Sequence, residues 1–199
     1  MTTHSKSKTL LALALAISLA ATGCSAQWIN VALQDLPVLT QMALNIATLV
    51  STLAAGNQAN TGDVAVIQNI SGQASRGLNL LRTLYDDYKA SPSPTKLQKM
   101  QNVISDLNRN LPALLESAHI SNAVLSGRIT VAVSLILTTV NGFASLMPQR
   151  AASMMMMRQP QVRTEIPDAQ DLRKQWNQHV CAPSGNPAMD TAFAQSVLR

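Results

Sequence analysis

Between Leu39 and Met147 the apolar residues recur at intervals of three and four, the spacing that gathers side chains on one side of an α-helix. One run is Leu39, Met42, Ile46, Leu49 and Leu53, and a second is Ile67, Ile70, Ala74, Gly77, Leu81, Leu84 and Tyr88. A third is Leu97, Met100, Ile104, Leu107, Leu111, Leu114 and Ala118, and a fourth is Ile129, Val133, Ile136, Val140, Phe143 and Met147. Each run holds for two turns or more. The pattern therefore predicts four helices with a buried seam.

The residues between the runs agree with this division. Asp35 is placed to cap the first helix, entered through Leu36 and Pro37, and Asp63 to cap the second. The stretch "AAGNQANTGD" breaks the chain between them. In "SPSPT", Ser93 offers a cap and Pro94 a first helical residue, and "SAHISN", around Ser121 or Asn122, separates the third run from the fourth. Connections this short favour antiparallel neighbours, so the expected fold is all-α, an antiparallel four-helix bundle with up-down-up-down topology. Pro112 interrupts the third run, where it must kink the helix or restart it with Asn110 as cap. "DLPVL" at Asp35 is echoed by "NLPAL" at Asn110, a similarity too short to define a repeat.

After Met147 the pattern changes. "PQRAASMMMMRQPQVRTEIP" is rich in Pro, Gln, Arg and Met, and the expected organisation is a bundle over 35–147 followed by an irregular C-terminal extension over 148–199. One or two short helices are expected in that extension. The first has Pro167, Asp168 and Asp171 at its start and Arg173 and Lys174 further on, an order that suits the helix dipole, with Leu172, Trp176 and Val180 as a narrow apolar stripe. A second stripe, Met189, Phe193 and Val197, follows Pro187. Leu172, Trp176 and Phe193 are thus the side chains that dock on the parent bundle or form an interaction surface for a partner.

Charge sharpens the picture in one respect. Two segments carry none at all, Leu36 to Gly62 and Ile129 to Gln149. A soluble bundle helix ordinarily shows a charged outer face, so these two are expected to be deeply buried or covered. "ITVAVSLILTTVNGFASLM" is nearly long enough to span a bilayer, yet Ser134, Thr138, Thr139, Asn141 and Ser145 dilute it. A central bundle helix is the expected role, with a membrane-inserting or interfacial helix as the alternative.

The first 23 residues have three zones: Lys6 and Lys8 without acids, an apolar run from Leu10 to Leu19, and the small-residue exit "AATGC". The apolar run is too short to cross about 30 Å of hydrocarbon, and the layout is that of a bacterial export signal. Within it, "ATGC" resembles the lipobox of bacterial lipoproteins, with Ala21 standing where that family most often has Leu. The resemblance covers residues 1–24 and implies a signal peptide over 1–23, a diacylglycerol thioether on Cys24, and a tether over 24–34. It also implies that Ser25 permits transfer to the outer membrane of a double-membrane bacterium, with the protein facing the periplasm. The rival route is ordinary cleavage after Ala26, reading "CSA" as a relaxed A-x-A site, which discards Cys24 and gives a soluble periplasmic or secreted protein.

Either route leaves Cys181 without an intramolecular partner, so about 175 mature residues must fold on their core alone. Loss of Lys6 and Lys8 reduces the formal net charge from +5 to +3. That balance is mild and scattered, with no basic patch interleaved with aromatics, and nucleic acid is not expected as a partner.

Candidate chemistry is sparse. Glu116 and His119 have the spacing of carboxylate-bridged dimetal proteins, but Glu165 is the one other glutamate, and both residues fall opposite the Leu114 and Ala118 seam. Met154 to Met157 offers soft thioethers suited to Cu(I), though only Met154 and Met157 share a helix face, and an adaptable apolar patch is the expected role. His179 and Cys181 lack an orienting group and an oxyanion site, leaving Cys181 inert or an intermolecular thiol. Asp86 and Asp87 diverge at a helix end. No phosphate loop, nucleophile elbow or zinc-type cysteine cluster is present, so neither an enzyme nor a cofactor is expected. The expected function is a non-catalytic interaction or structural module of the cell envelope, held to the membrane by an N-terminal lipid and engaging an envelope protein. The alternatives are a membrane-active or transport-associated component with inserting or apolar-ligand-binding helices, and soft-metal binding.

Overall fold

The spacing of three and four is realised as helix in every run. The computed structural model describes residues 4–57, 59–118, 120–148 and 166–199, with the side chains of 4–26 outside the description. Four long helices, α1 (His4–Ala55), α2 (Thr61–Ala90), α3 (Pro94–Ser117) and α4 (Ala123–Leu146), form the bundle, and α5 (Ala169–His179) and α6 (Pro187–Gln195) follow. Short loops join consecutive long helices, and α1 packs on α2, α2 on α3, α3 on α4 and α4 back on α1, as an up-down-up-down bundle requires. The extension docks on this ring, α5 against both α1 and α4, and α6 against α1.

The core is made by the residues of the predicted seams. Leu39, Met42, Ile46, Leu49 and Leu53 of α1 are buried, as are Ile129, Val133, Ile136, Val140 and Phe143 of α4 and the adjoining Met147. In α2 the seam slips by one residue. Leu78 and Tyr85 are fully buried, whereas Gly77 and Tyr88 are only half-buried at the flank. Gly77 earns its place by closeness: a Cβ there would stand 2.6 Å from Cδ2 of Leu107, so its absence lets α2 approach α3.

Ser93 caps α3, with Pro94 in the first turn, and Asn122 caps α4, its side chain accepting from the Leu125 amide. Two expected caps are not caps. Asp35 lies inside α1, because Trp28, Ile29 and Ala32 continue the apolar stripe upstream and are buried. The α2 cap is Asn60, which accepts from the Asp63 amide at 2.8 Å. Asp63 instead receives the Ser121 amide at 3.1 Å and the Ser121 hydroxyl at 2.7 Å, tying the start of α2 to the loop before α4. Pro112 neither ends nor restarts its helix, and α3 runs from Pro94 to Ser117 through Asn110. Pro37 likewise sits within α1. Each proline removes one intrahelical hydrogen bond, a cost that tertiary packing of a long amphipathic helix absorbs.

Charge is divided between the two halves of the bundle. α2 carries Asp63, Arg76, Arg82, Asp86, Asp87 and Lys89, and α3 carries Lys96, Lys99, Asp106, Arg109 and Glu116. From Gln27 to Ala55 the sole charged residue of α1 is Asp35, and the sole one of α4 is Arg128. The hydroxyls of this uncharged half turn inward along their own helices. Those of Thr40, Thr52, Thr130 and Thr139 each donate to the carbonyl four residues back. Both segments are long and apolar enough to cross a membrane by length and composition, and both supply core to the bundle.

Candidate functional site

The uncharged half is where the extension docks, and the geometry there is specific. Asp168 caps α5, its carboxylate accepting from the amides of Gln170 and Asp171 at 2.8 and 2.9 Å. Leu172 and Trp176, one turn apart on α5, are fully buried, and so is Phe193 of α6. Trp176 donates its indole N–H to the Ser196 carbonyl at 2.9 Å, and the same carbonyl accepts from Asn45 of α1 at 3.0 Å. Asn177 pairs twice with Leu198, at 2.9 Å in each direction, so the chain end lies along α5. The turn between the short helices uses Gly185 at φ +82, and Asp190 accepts the Ser184 amide and hydroxyl. The hydrogen bonds from Ser184 hold the Asp190 carboxyl below its ordinary range.

Both lone charges of the uncharged half meet this strap. Arg128 donates to the carbonyls of His179 and Ala182 at 2.5 and 3.1 Å, and its guanidinium lies 5.3 Å from the centre of the Phe193 ring. A cation at helix-terminal carbonyls is favoured by the dipole and by direct bonding. At the opposite end of α5, Asp35 is 2% exposed, and its Oδ2 reaches no hydrogen-bond partner among the described residues. Burial pushes its pKa up to about 6 and the neighbouring Asp168 adds to the rise, against the Ala169 amide and the Arg173 guanidinium. Beside this junction a groove of about 420 Å³ is lined by Pro37, Val38, Gln41, Asn45, Arg173, Gln195 and the chain end.

Trp28 of α1 anchors an aromatic cluster. Trp28 meets Tyr85 edge-on with ring centres 5.4 Å apart and Tyr88 at 5.8 Å, and Tyr85 meets Phe143 of α4 at 6.3 Å. The Tyr85 hydroxyl and the Trp28 indole N–H are buried without a hydrogen-bond partner among the described residues, and burial pushes the phenol pKa well up. Because an unsatisfied buried hydroxyl costs about 1–3 kcal/mol, Tyr85→Phe is expected to raise unfolding stability by about 1 kcal/mol in urea titration. A loss of stability would mean that the hydroxyl has a partner.

The residues singled out in the sequence do not converge. Cys24 lies in α1 with its side chain outside the description, and Met154, Met157 and His119 lie outside the described residues. Glu116, Asp86, Asp87 and His179 are exposed. Cys181 is half-buried, and burial pushes its thiol up to about 11 against the influence of Trp176 and Arg128, the opposite of an activated thiolate. Leu172, Trp176 and Phe193 are buried against the rest of the protein, the docked arrangement of the two expected for them. Among the described residues no three His, Cys, Asp or Glu side chains group as metal ligands. What sequence reading missed is the pairing of Asp35 and Arg128 with the two ends of α5, signalled only by each being the lone charge of its stretch, Gln27–Ala55 and Ala123–Leu146.

Searches of known protein families, curated proteins and solved structures find nothing that matches this chain.

Proposed function

We propose that the chain is an exported lipoprotein of the bacterial cell envelope, anchored through Cys24, whose helical bundle serves as a non-catalytic interaction or structural module on the periplasmic side of the outer membrane. The observation that carries this reading is the export-type segment ending in "ATGC", followed four residues after Cys24 by Trp28, the first buried residue among those whose side chains are described. Cleavage before Cys24 leaves a link spanning at most about 14 Å between lipid and bundle. The end of the bundle holding Trp28, the end of α2, the start of α3 and the end of α4 then faces the bilayer. The charged outer residues of α2 and α3 supply the solvated surface, and the strap covers α1 and α4, which supports a bundle standing at the membrane rather than within it.

Alkaline carbonate extraction tests the anchor. The native chain is expected to stay with membranes, and a Cys24→Ala chain exported behind a signal cleaved before residue 24 is expected in the soluble fraction. Retention of that variant would sink the lipid as sole anchor and favour insertion of α1 and α4, the two helices long and apolar enough to span.

A further inference from the structure

The two ends of α5 are held by unlike means. At its C-terminal end Arg128 bonds free carbonyls, an arrangement favourable at any pH below the guanidinium range. At its N-terminal end a buried carboxyl, Asp35, faces a second carboxyl, Asp168, with one oxygen unpartnered among the described residues. The groups that could compensate are few. From α5 come the Ala169 amide and Arg173, with Arg199 of the chain end lining the same groove as Arg173. α4 brings no charge along Ile129–Leu146, while α2 brings buried Tyr85 toward Trp28 and keeps Asp86, Asp87 and Lys89 exposed. Arg173 also donates to its own helix, at the Ala169 carbonyl, so its guanidinium is shared.

We infer that this junction is a proton-operated latch: with Asp35 protonated the strap of α5 and α6 stays docked, and with Asp35 ionised against Asp168 the strap opens and uncovers the faces of α1 and α4 on which it rests. Docking holds the proton more tightly than the open state does, since burial pushes the docked carboxyl up to about 6 and a solvated aspartate titrates at about 4. Docking is therefore firmest below the lower value and weakens as pH rises through the upper one. Linkage across that gap makes the opening equilibrium grow roughly 30-fold between pH 4.5 and 7.5. This inference is independent of how the chain is anchored.

Amide exchange of the mature chain, corrected for the intrinsic pH dependence of exchange, reads the latch directly. Protection across Leu172–Val180 is expected to fall roughly 30-fold between pH 4.5 and 7.5, with no matching fall in Met100–Leu107 of α3. In Asp35→Asn, which keeps an oxygen for the Ala169 amide, the fall specific to α5 is expected to vanish. The same fall in the variant, or none in the native chain, would overturn the latch. Carbon-13 titration of the Asp35 carboxyl in the unaltered protein is a second check: a midpoint near 6 supports the latch, and one at the ordinary value near 4 contradicts it.

Discussion

Trp176→Ala is expected to detach the C-terminal strap and to cost about 3–5 kcal/mol, the range for truncating a fully buried aromatic. The indole is the largest fully buried side chain among the described residues, and it sits at the meeting point of α5, the chain end and α1. Its removal opens a cavity beneath α5 and deprives the Ser196 carbonyl of one of its two donors. What remains on α5 is Leu172 and Val180 as buried apolar anchors, the Asn177–Leu198 pair and the Arg128 contacts, against the marginal propensity of an isolated 11-residue helix. Limited proteolysis should then cut within 166–199 at native temperature while the bundle stays resistant. A variant whose strap remains as protected as the native one would show that α5 is fixed by its ends rather than by its core.

Phe143→Ala is expected to lower the stability of the bundle itself, again by about 3–5 kcal/mol. Phe143 is fully buried on α4 and meets Tyr85 of α2 edge-on, so its ring fills the space where the first and last helices of the bundle close on the second. The adjacent Gly142 is crossed so closely by Ile166 that an added Cβ would stand 2.8 Å from it, which leaves the backbone little freedom to collapse into the void. Because domains of this size hold about 5–15 kcal/mol in all, the urea midpoint should fall by about a fifth or more. Val124→Ala on the exposed side of the same helix is expected to change stability by less than about 0.5 kcal/mol, and equal effects at the two positions would contradict this placement of the core.

The helices and most of their core were legible because a stripe at three and four is a local property, and so is a cap such as Ser93 or Asn122. The failures have physical causes of their own. An α-helix drifts about 20° per heptad against a strict repeat of seven, so over α2 the seam passes from the predicted Gly77 and Tyr88 to Leu78 and Tyr85. Asp35 has the chemistry of a cap, yet the apolar residues upstream of it bury, and burial outweighs a side-chain preference. Pro112 has the chemistry of a breaker, yet Leu107 and Leu111 on either side of the restart point pack into one core. The stripe of Leu172 and Trp176 was visible and its docking was one of two expectations. A lone charge marks the positions of Asp35 and Arg128, but their partners were invisible, because they lie 133 and 51 residues further along the chain.

The candidate site was less legible than the fold, since the residues with reactive side chains scatter and the residues that act together, Asp35, Asp168, Arg173 and Arg128, have ordinary chemistry. Their meaning comes from an uncharged half that spends its two charges on one short helix. The functional reading rests on a different segment, and mass spectrometry of the mature N-terminal peptide tests it most directly. The proposal predicts a chain that begins at Cys24 and carries a diacylglyceryl modification on its sulfur; an unmodified chain beginning at Gln27 would contradict it.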